Sequence, residues 1–190
     1  MAKNELNLGG LTFMVGDSSE SFRTILNGIL RGFGVSNVVV CSDGKAMKQL
    51  LTAKHVDILL VEFDLPTVPG HEIVKTMRED PESPFRFIPM VVMTSHTQQR
   101  NVEKARDCGA NMVIAKPISA KVLFDRLAWM SREPRPFIQA PTYNGPDRRF
   151  KIEGFPHGVG RRKEDSELDV GEEEGPALSQ DEIDSLFQKR

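Results

Sequence analysis

Cysteine is scarce in this chain, and so are tryptophan and tyrosine: two, one and one among 190 residues. Cys41 and Cys108 form no CxxC pair and no metal-ligand spacing, which argues against a zinc ribbon or a disulfide framework. Each falls in or beside an apolar stretch, so both are expected as reduced core thiols of a cytoplasmic protein. No apolar run approaches the roughly 18–20 residues that span a bilayer. The first five residues lack the apolar core of a signal peptide. Charge of one sign is not in excess either. Lys and Arg number 25 against 27 Asp and Glu, a net of −2, which favours neither bulk nucleic-acid binding nor a membrane surface.

What the chain does have is alternation. Residues 11–15 are a short apolar run that ends at Gly16-Asp17-Ser18. Asp17 or Ser18 can cap a following helix, in which Phe22, Ile25, Leu26, Ile29 and Leu30 recur at helical spacing until Gly32 and Gly34. Residues 38–41 read as a second strand, and a helix from Ser42 or Asp43 runs through Met47, Leu50 and Leu51. Residues 57–62 are a third strand and residues 70–79 a third helix. A loop with Pro81 and Pro84 separates it from a fourth strand at 88–93. A helix carrying Val102 and Ala105 ends at Gly109. Residues 112–115 make a fifth strand before Lys116-Pro117, and a last helix holds Val122, Leu123, Leu127 and Trp129. Five strands alternating with five helices predict a parallel sheet covered on both faces; right-handed crossovers make the order 2-1-3-4-5 a natural closure, and periodicity alone leaves several doubly wound folds open.

The centre of this pattern is the stretch 58–70. Apolar residues 58–61 deliver Glu62 to the carboxyl edge of the sheet, where ligands and chemistry gather in such folds. Pro66 and Gly70 follow four and eight residues later. With these offsets, and with Thr94 and Lys116-Pro117 at the next two strand ends, residues 10 to 130 resemble the CheY-like receiver domain of bacterial response regulators. The resemblance implies a flavodoxin-like fold and a set of roles. Glu62 stands at the phosphoacceptor position. Thr94 and Lys116 stand where a hydroxyl and an ammonium contact the phosphoryl group. Asp17 matches the second acid of a magnesium-binding pair, and Asp17, Glu62 and Asp64 are the candidate ligands for weakly held Mg2+.

Two departures mark this chain. Gly16 replaces the first acid of the pair, and Glu62 replaces the aspartate. An extra methylene moves the attacking oxygen by about 1–1.5 Å, and a misplacement of about 1 Å can cost on the order of a hundredfold in rate. Asp64 is the weaker candidate acceptor, because a two-residue slip would misplace both Pro66 and Gly70. Val113 occupies the position that the family uses for an aromatic switch. The expected protein is a pseudo-receiver that works by protein–protein interaction. Glu62 is expected to reach toward Lys116 and Thr94, either as a stand-in for a phosphoryl oxygen or as a plain ion pair.

The composition shifts near residues 131–136. The expected organisation is an N-terminal extension over 1–10, a receiver-like domain over 11–131, an irregular tail over 132–176 and a short amphipathic helix over 177–190. The tail carries Tyr143-Asn144-Gly145-Pro146-Asp147-Arg148-Arg149, similar to a Tyr-x-Gly-Pro-Asp-Arg-Arg motif of short bacterial receiver proteins, and then an acidic stretch expected to be a disordered linker. At the end, Ser179 and Glu182 make a capping box, Leu178 and Ile183 a hydrophobic staple, and Ile183, Leu186 and Phe187 one apolar face. So short a helix is marginal alone and is expected to order on docking. Its Leu-Ser-Gln-x-Glu-Ile-Asp sequence is similar to the N-terminal peptide of the flagellar switch protein FliM. That peptide binds the chemotaxis receiver on the face made by the fourth helix, fifth strand and fifth helix. The expected partners are signalling proteins: a histidine kinase, another receiver or a flagellar switch component. The runner-up is a Mg-dependent phospho-accepting response regulator. A third reading is a nucleic-acid-binding regulator acting through Arg148, Arg149, Arg161 and Arg162, which the acidic stretch disfavours.

Overall fold

A computed structural model describes residues 6–132, 135–140, 143–147 and 178–186. Strands β1 (Thr12–Gly16), β2 (Asn37–Cys41), β3 (Ile58–Glu62), β4 (Met90–Thr94) and β5 (Met112–Ala115) form one sheet in the order β2-β1-β3-β4-β5. Every neighbouring pair is parallel. Helices α1 (Glu20–Gly32), α2 (Gly44–Ala53), α3 (Gly70–Glu79), α4 (Gln99–Asp107) and α5 (Ala120–Arg132) alternate with the strands. This is the flavodoxin-like, CheY-like architecture that the receiver resemblance implied.

The sheet is buried on both faces because its strands are apolar at successive positions rather than at every second one. Phe13, Val15, Leu60 and Ile114 face α1 and α5, where Leu26, Leu30, Leu123 and Leu127 complete a core. Met14, Leu59, Val61 and Val113 belong to a second core with Met47, Ile73, Val74, Val102 and Ala105 from α2, α3 and α4. Burying one such aliphatic side chain contributes roughly 1.5–3 kcal/mol. Cys41 and Cys108 are buried free thiols, and burial pushes their pKa values up to about 11 and about 12. No described helix is long and apolar enough to cross a membrane.

Local chemistry sets the helix starts. Ser19, rather than Asp17 or Ser18, caps α1 by accepting from the Phe22 N–H at 3.3 Å. Asp43 caps α2 through the Ala46 N–H at 2.9 Å. Gly70 opens α3 where a Cβ would collide with the Glu62 carbonyl oxygen and a Val61 methyl, so α3 can close onto the end of β3 only without a side chain there.

The tail differs from the expectation. Residues 137–146, read as irregular, contain an antiparallel pair, β6 (Phe137–Ala140) with β7 (Tyr143–Pro146). Its reason is a contact distant in sequence. A Cβ on Gly145 would strike the Gly109 Cα and the Tyr143 hydroxyl, and that hydroxyl donates to the Pro146 carbonyl at 2.7 Å. Gly109 itself has φ +91, which favours glycine. Beside this seam Arg78, 1% exposed, donates from Nε to the Gly109 carbonyl at 2.9 Å and from Nη2 to Asn111 Oδ1 at 2.7 Å. Burial pulls its pKa down to about 10, so it stays charged at neutral pH. Arg135 donates to the Asn111 carbonyl oxygen. The Tyr-x-Gly-Pro part of the motif is thus built into a seal over α3 and the start of β5. Arg148, Arg149, Arg161, Arg162 and the acidic stretch lie outside the described residues.

The last element, α6 (Gln180–Leu186), packs against β5 and α4. The capping box is formed: the Ser179 N–H and hydroxyl both donate to Glu182 Oε2, at 2.7 and 2.8 Å. Ile183 is fully buried in the α2–α3–α4 core, with Leu178 packed beside it. Phe187 lies outside the described residues, and only the backbone of Leu186 is described.

Candidate functional site

Four strand ends meet at the carboxyl edge. β1 leads to Asp17, β3 ends in Glu62, β4 ends in Thr94, and β5 leads through Ala115 to Lys116. Asp17 has no exposed surface, and the side chains of Lys116 and Glu62 are 11% and 16% exposed. Lys116 Nζ lies 2.6 Å from Asp17 Oδ2 and 2.7 Å from Glu62 Oε1. It donates a hydrogen bond to Glu62 but is off the hydrogen-bonding direction at Asp17 Oδ2. That contact is therefore an ion pair by distance. One ammonium thus bridges two carboxylates.

The second oxygen of Glu62 is also engaged. Oε2 accepts from the Ser18 N–H at 2.8 Å and from its hydroxyl at 2.6 Å. Burial pulls the Glu62 pKa up, but the bonds from Lys116 and Ser18 outweigh it and hold the carboxyl below its usual range. Asp17 Oδ1 accepts from the Ser19 N–H at 3.0 Å. Arg23 fixes the same turn by donating to the carbonyls of Asp17 at 2.5 Å and Ser18 at 3.0 Å. The Phe22 ring lies 4.5 Å from the Lys116 ammonium and covers it from the α1 side.

Thr94 does not join this cluster through its side chain. Its hydroxyl accepts from the His96 N–H at 2.9 Å and donates to the His96 carbonyl at 3.2 Å. Of the two contacts expected for Glu62, the one to Lys116 is present and the one to Thr94 is replaced by Ser18. Asp64 is exposed and stands 3.9 Å from His96 Nε2. It shares an open cleft of about 240 Å3 with Ser18, Glu62 and Thr94.

The expected ligand set of Asp17, Glu62 and Asp64 is not assembled. Among the described residues no three His, Cys, Asp or Glu side chains gather into a metal-holding group. Magnesium takes near-octahedral oxygen coordination with bare carboxylates. Here the Lys116 ammonium occupies the place between Asp17 and Glu62, and Asp64 turns to His96. As placed, these residues do not fit a divalent ion. Gly16 has a physical counterpart too. A Cβ there would run into the Met47 methyl, so the space of a first acid is filled by a core side chain.

Sequence reasoning missed Ser18, Phe22 and Arg23. Ser18 adjoins Asp17 and could have been found from that adjacency. Phe22 reads only as a core position of α1, and Arg23 as a solvated one. It also missed Gln180 and Arg126, which carry the docking of α6. Gln180 Oε1 accepts from the Ala115 N–H at 2.6 Å, and Gln180 Nε2 donates to the Val113 carbonyl at 3.2 Å. The Leu178 N–H donates to the Thr97 carbonyl at 2.8 Å, and Arg126 of α5 pairs with Asp184.

Comparison with known proteins places this geometry. Residues 13–128 match the response regulator receiver domain family. The chemotaxis protein CheY of Pseudomonas aeruginosa is 22% identical over 117 residues, covering 62% of this chain and 93% of that protein. The chemotaxis protein CheY-3 of Vibrio cholerae is 24% identical over 117 residues, 62% of this chain and 88% of that one. Among solved structures, the response regulator CheY4 of Vibrio cholerae superposes with a TM-score of 0.57 at 23% identity, covering 63% of this chain and 97% of its own. The receiver domain of a sensor histidine kinase from Pseudomonas aeruginosa, solved with a magnesium ion coordinated in its active site cleft, gives 0.57 at 22%, covering 64% and 98%. The chain belongs to the response regulator receiver domain family, the signalling module of two-component and chemotaxis pathways.

Proposed function

We propose that this protein is a pseudo-receiver: it keeps the receiver scaffold, takes up no phosphoryl group at Glu62, and signals by binding other signalling proteins. The observation that carries the reading is the Lys116 ammonium bridging Asp17 Oδ2 and Glu62 Oε1 at 2.6 and 2.7 Å. Phosphoryl transfer to a carboxylate needs a free oxygen in line with phosphorus and a cation holding the departing charge. Glu62 has both oxygens engaged, one by Lys116 and the other by Ser18. To attack, it would have to leave at least one of these partners, and the longer side chain has already brought it to them.

In this reading Glu62 stands at the acceptor position and supplies permanently what a phosphoryl oxygen would supply on demand, an anion against Lys116. The Thr94 hydroxyl, which the resemblance assigns to sensing phosphate, stays bonded within its own loop. With Val113 buried at the position of the aromatic switch, the cleft has one state rather than two. Its output is a fixed surface offered to a histidine kinase, another receiver or a flagellar switch component.

The test is incubation of the full chain with acetyl phosphate and magnesium, followed by intact mass measurement. The mass should stay unchanged. Addition of one phosphoryl group at Glu62 or Asp64, at a rate comparable with ordinary response regulators, would overturn the reading.

A further inference from the structure

The carboxylates of the cleft already have their counter-charge. Asp17 has no exposed surface, and its Oδ1 accepts from the Ser19 N–H. Its Oδ2 is buried and accepts no hydrogen bond. A buried carboxylate oxygen without a donor is costly unless a cation faces it. The cation facing it is the Lys116 ammonium, 2.6 Å away, which also donates to Glu62 Oε1 at 2.7 Å. The Phe22 ring closes a further side at 4.5 Å. Arg23 lies against the same turn, on the carbonyls of Asp17 and Ser18. Two carboxylates, one ammonium and one guanidinium thus gather at this point, and their formal charges cancel.

A divalent ion would break that balance. Set beside the ammonium, it would leave two positive charges in excess where little water screens them. It would also need oxygens on all sides, because magnesium takes near-octahedral oxygen coordination. The side toward α1 is an aromatic ring, and the Met47 methyl fills the space at Gly16. The Ser18 N–H and hydroxyl are donors turned on Glu62 Oε2. Metal and ammonium are therefore alternatives for Asp17 Oδ2. Lys116 is anchored for the part, since its own N–H donates to the Thr94 carbonyl at 2.8 Å.

We propose that Lys116 is the resident cation of this cleft. It takes the place between Asp17 and Glu62 that a divalent ion would need, so the unaltered chain holds no magnesium or manganese there. Loss of the ammonium turns the two carboxylates into a divalent-cation site. Asp17 and Glu62 are then unneutralised, and the space of the lysine stem admits water, which such ions keep among their ligands. In the unaltered chain the shape of the cleft is independent of the divalent cation concentration. The inference goes beyond phosphoryl uptake, because a chain that takes up no phosphoryl group could still hold a metal.

The experiment is a manganese titration of the full chain, first freed of metal with a chelator. Manganese suits carboxylate and water ligands, and its free aqueous ion is read by electron paramagnetic resonance. Melting temperature is the second readout. Binding counts only where Asp17→Asn removes it, which sets aside manganese held by the acidic residues between Glu164 and Glu174. The unaltered chain should leave the free-ion signal at its buffer level, with a melting temperature that manganese does not move. Lys116→Ala should bind one ion per chain, more tightly than the unaltered chain by about tenfold or more, because a competing positive charge is gone. Its melting temperature should rise with manganese concentration. Lys116→Gln, which keeps a donor for Glu62 and drops the charge, serves as a second variant should Lys116→Ala fold poorly. Asp17-dependent binding by the unaltered chain, or its absence from both lysine variants, would overturn the proposal. The acetyl phosphate test reads phosphoryl uptake and the titration reads cation binding, so the two readings fail separately.

Discussion

In the cleft, Lys116 meets Asp17 and Glu62; on the α4–β5–α5 face, Arg126 meets Asp184. Both are cations held against carboxylates with little solvent around them, yet the balance differs. At Glu62 the bonds from Lys116 and Ser18 outweigh burial, and the carboxyl titrates below its usual range. At Asp184 burial outweighs the Arg126 pair, and the carboxyl is pushed above its usual range. The cleft is built from strand ends that the sheet holds in place whatever the charges do. The face is completed by a seven-residue helix, a length that is marginal without packing partners. A buried pair made wholly of core elements cannot relax when one partner is removed, whereas a pair with one member on a detachable element can.

The largest way to break the comparison is Lys116→Met. It leaves Asp17 and Glu62 facing each other without a cation, and removal of one partner from a buried pair costs about 3–5 kcal/mol. The midpoint of urea unfolding should fall accordingly. A change below about 1 kcal/mol would mean that the two carboxylates share no dependence on the ammonium. Arg126→Met is the matched change on the other face. Loss of a hydrogen bond to a charged group is worth about 1.5–3 kcal/mol, but here it should appear as undocking of α6. Amide exchange at Ala115, whose N–H donates to Gln180, should quicken by tenfold or more. Exchange at Val92 in β4 and the global unfolding midpoint should stay nearly constant. Joint loss of both signals would erase the distinction between the two regions.

The smallest expected effect is the pH dependence at Glu62. Its pKa in the folded chain lies below the ordinary 4.5, so the folded state holds fewer protons than the unfolded one in that window. The contribution is fully present above about 4.5 and is lost as pH falls through the folded value. Melting temperatures of the unaltered chain and Glu62→Gln, followed from neutral pH to pH 3, should therefore converge on the acid side. A gap that stays constant below pH 4 would show that the Glu62 charge plays no part in holding the cleft.

Much of the site was legible in the sequence. Asp17, Glu62, Thr94 and Lys116 each follow an apolar run, and a parallel sheet must bring such strand ends to one edge. The partner of each was less legible. Thr94 was expected to face Glu62 and instead closes its own loop with His96, because a hydroxyl two residues from a free N–H finds it more readily than a carboxylate across the cleft. The three candidate metal ligands stand ungathered for a related reason. Position in the sequence places carboxylates at an edge but says nothing of which cation lies between them.

By itself the sequence determined the sheet, its order, the acids and the lysine at its edge, and the capped helix near the end of the chain. The strands, helices and cap rest on period, spacing and local hydrogen bonding, which act over a few residues, while the strand order was narrowed by the receiver resemblance. Only the tertiary structure decided that Lys116 bridges two acids, that Ser18 takes the second oxygen of Glu62, that Gly145 seats a hairpin on Gly109, and that Gln180 reads the edge of β5. Each of these joins atoms far apart along the chain. Contact at such separations depends on how whole elements pack, and no short stretch of residues encodes it.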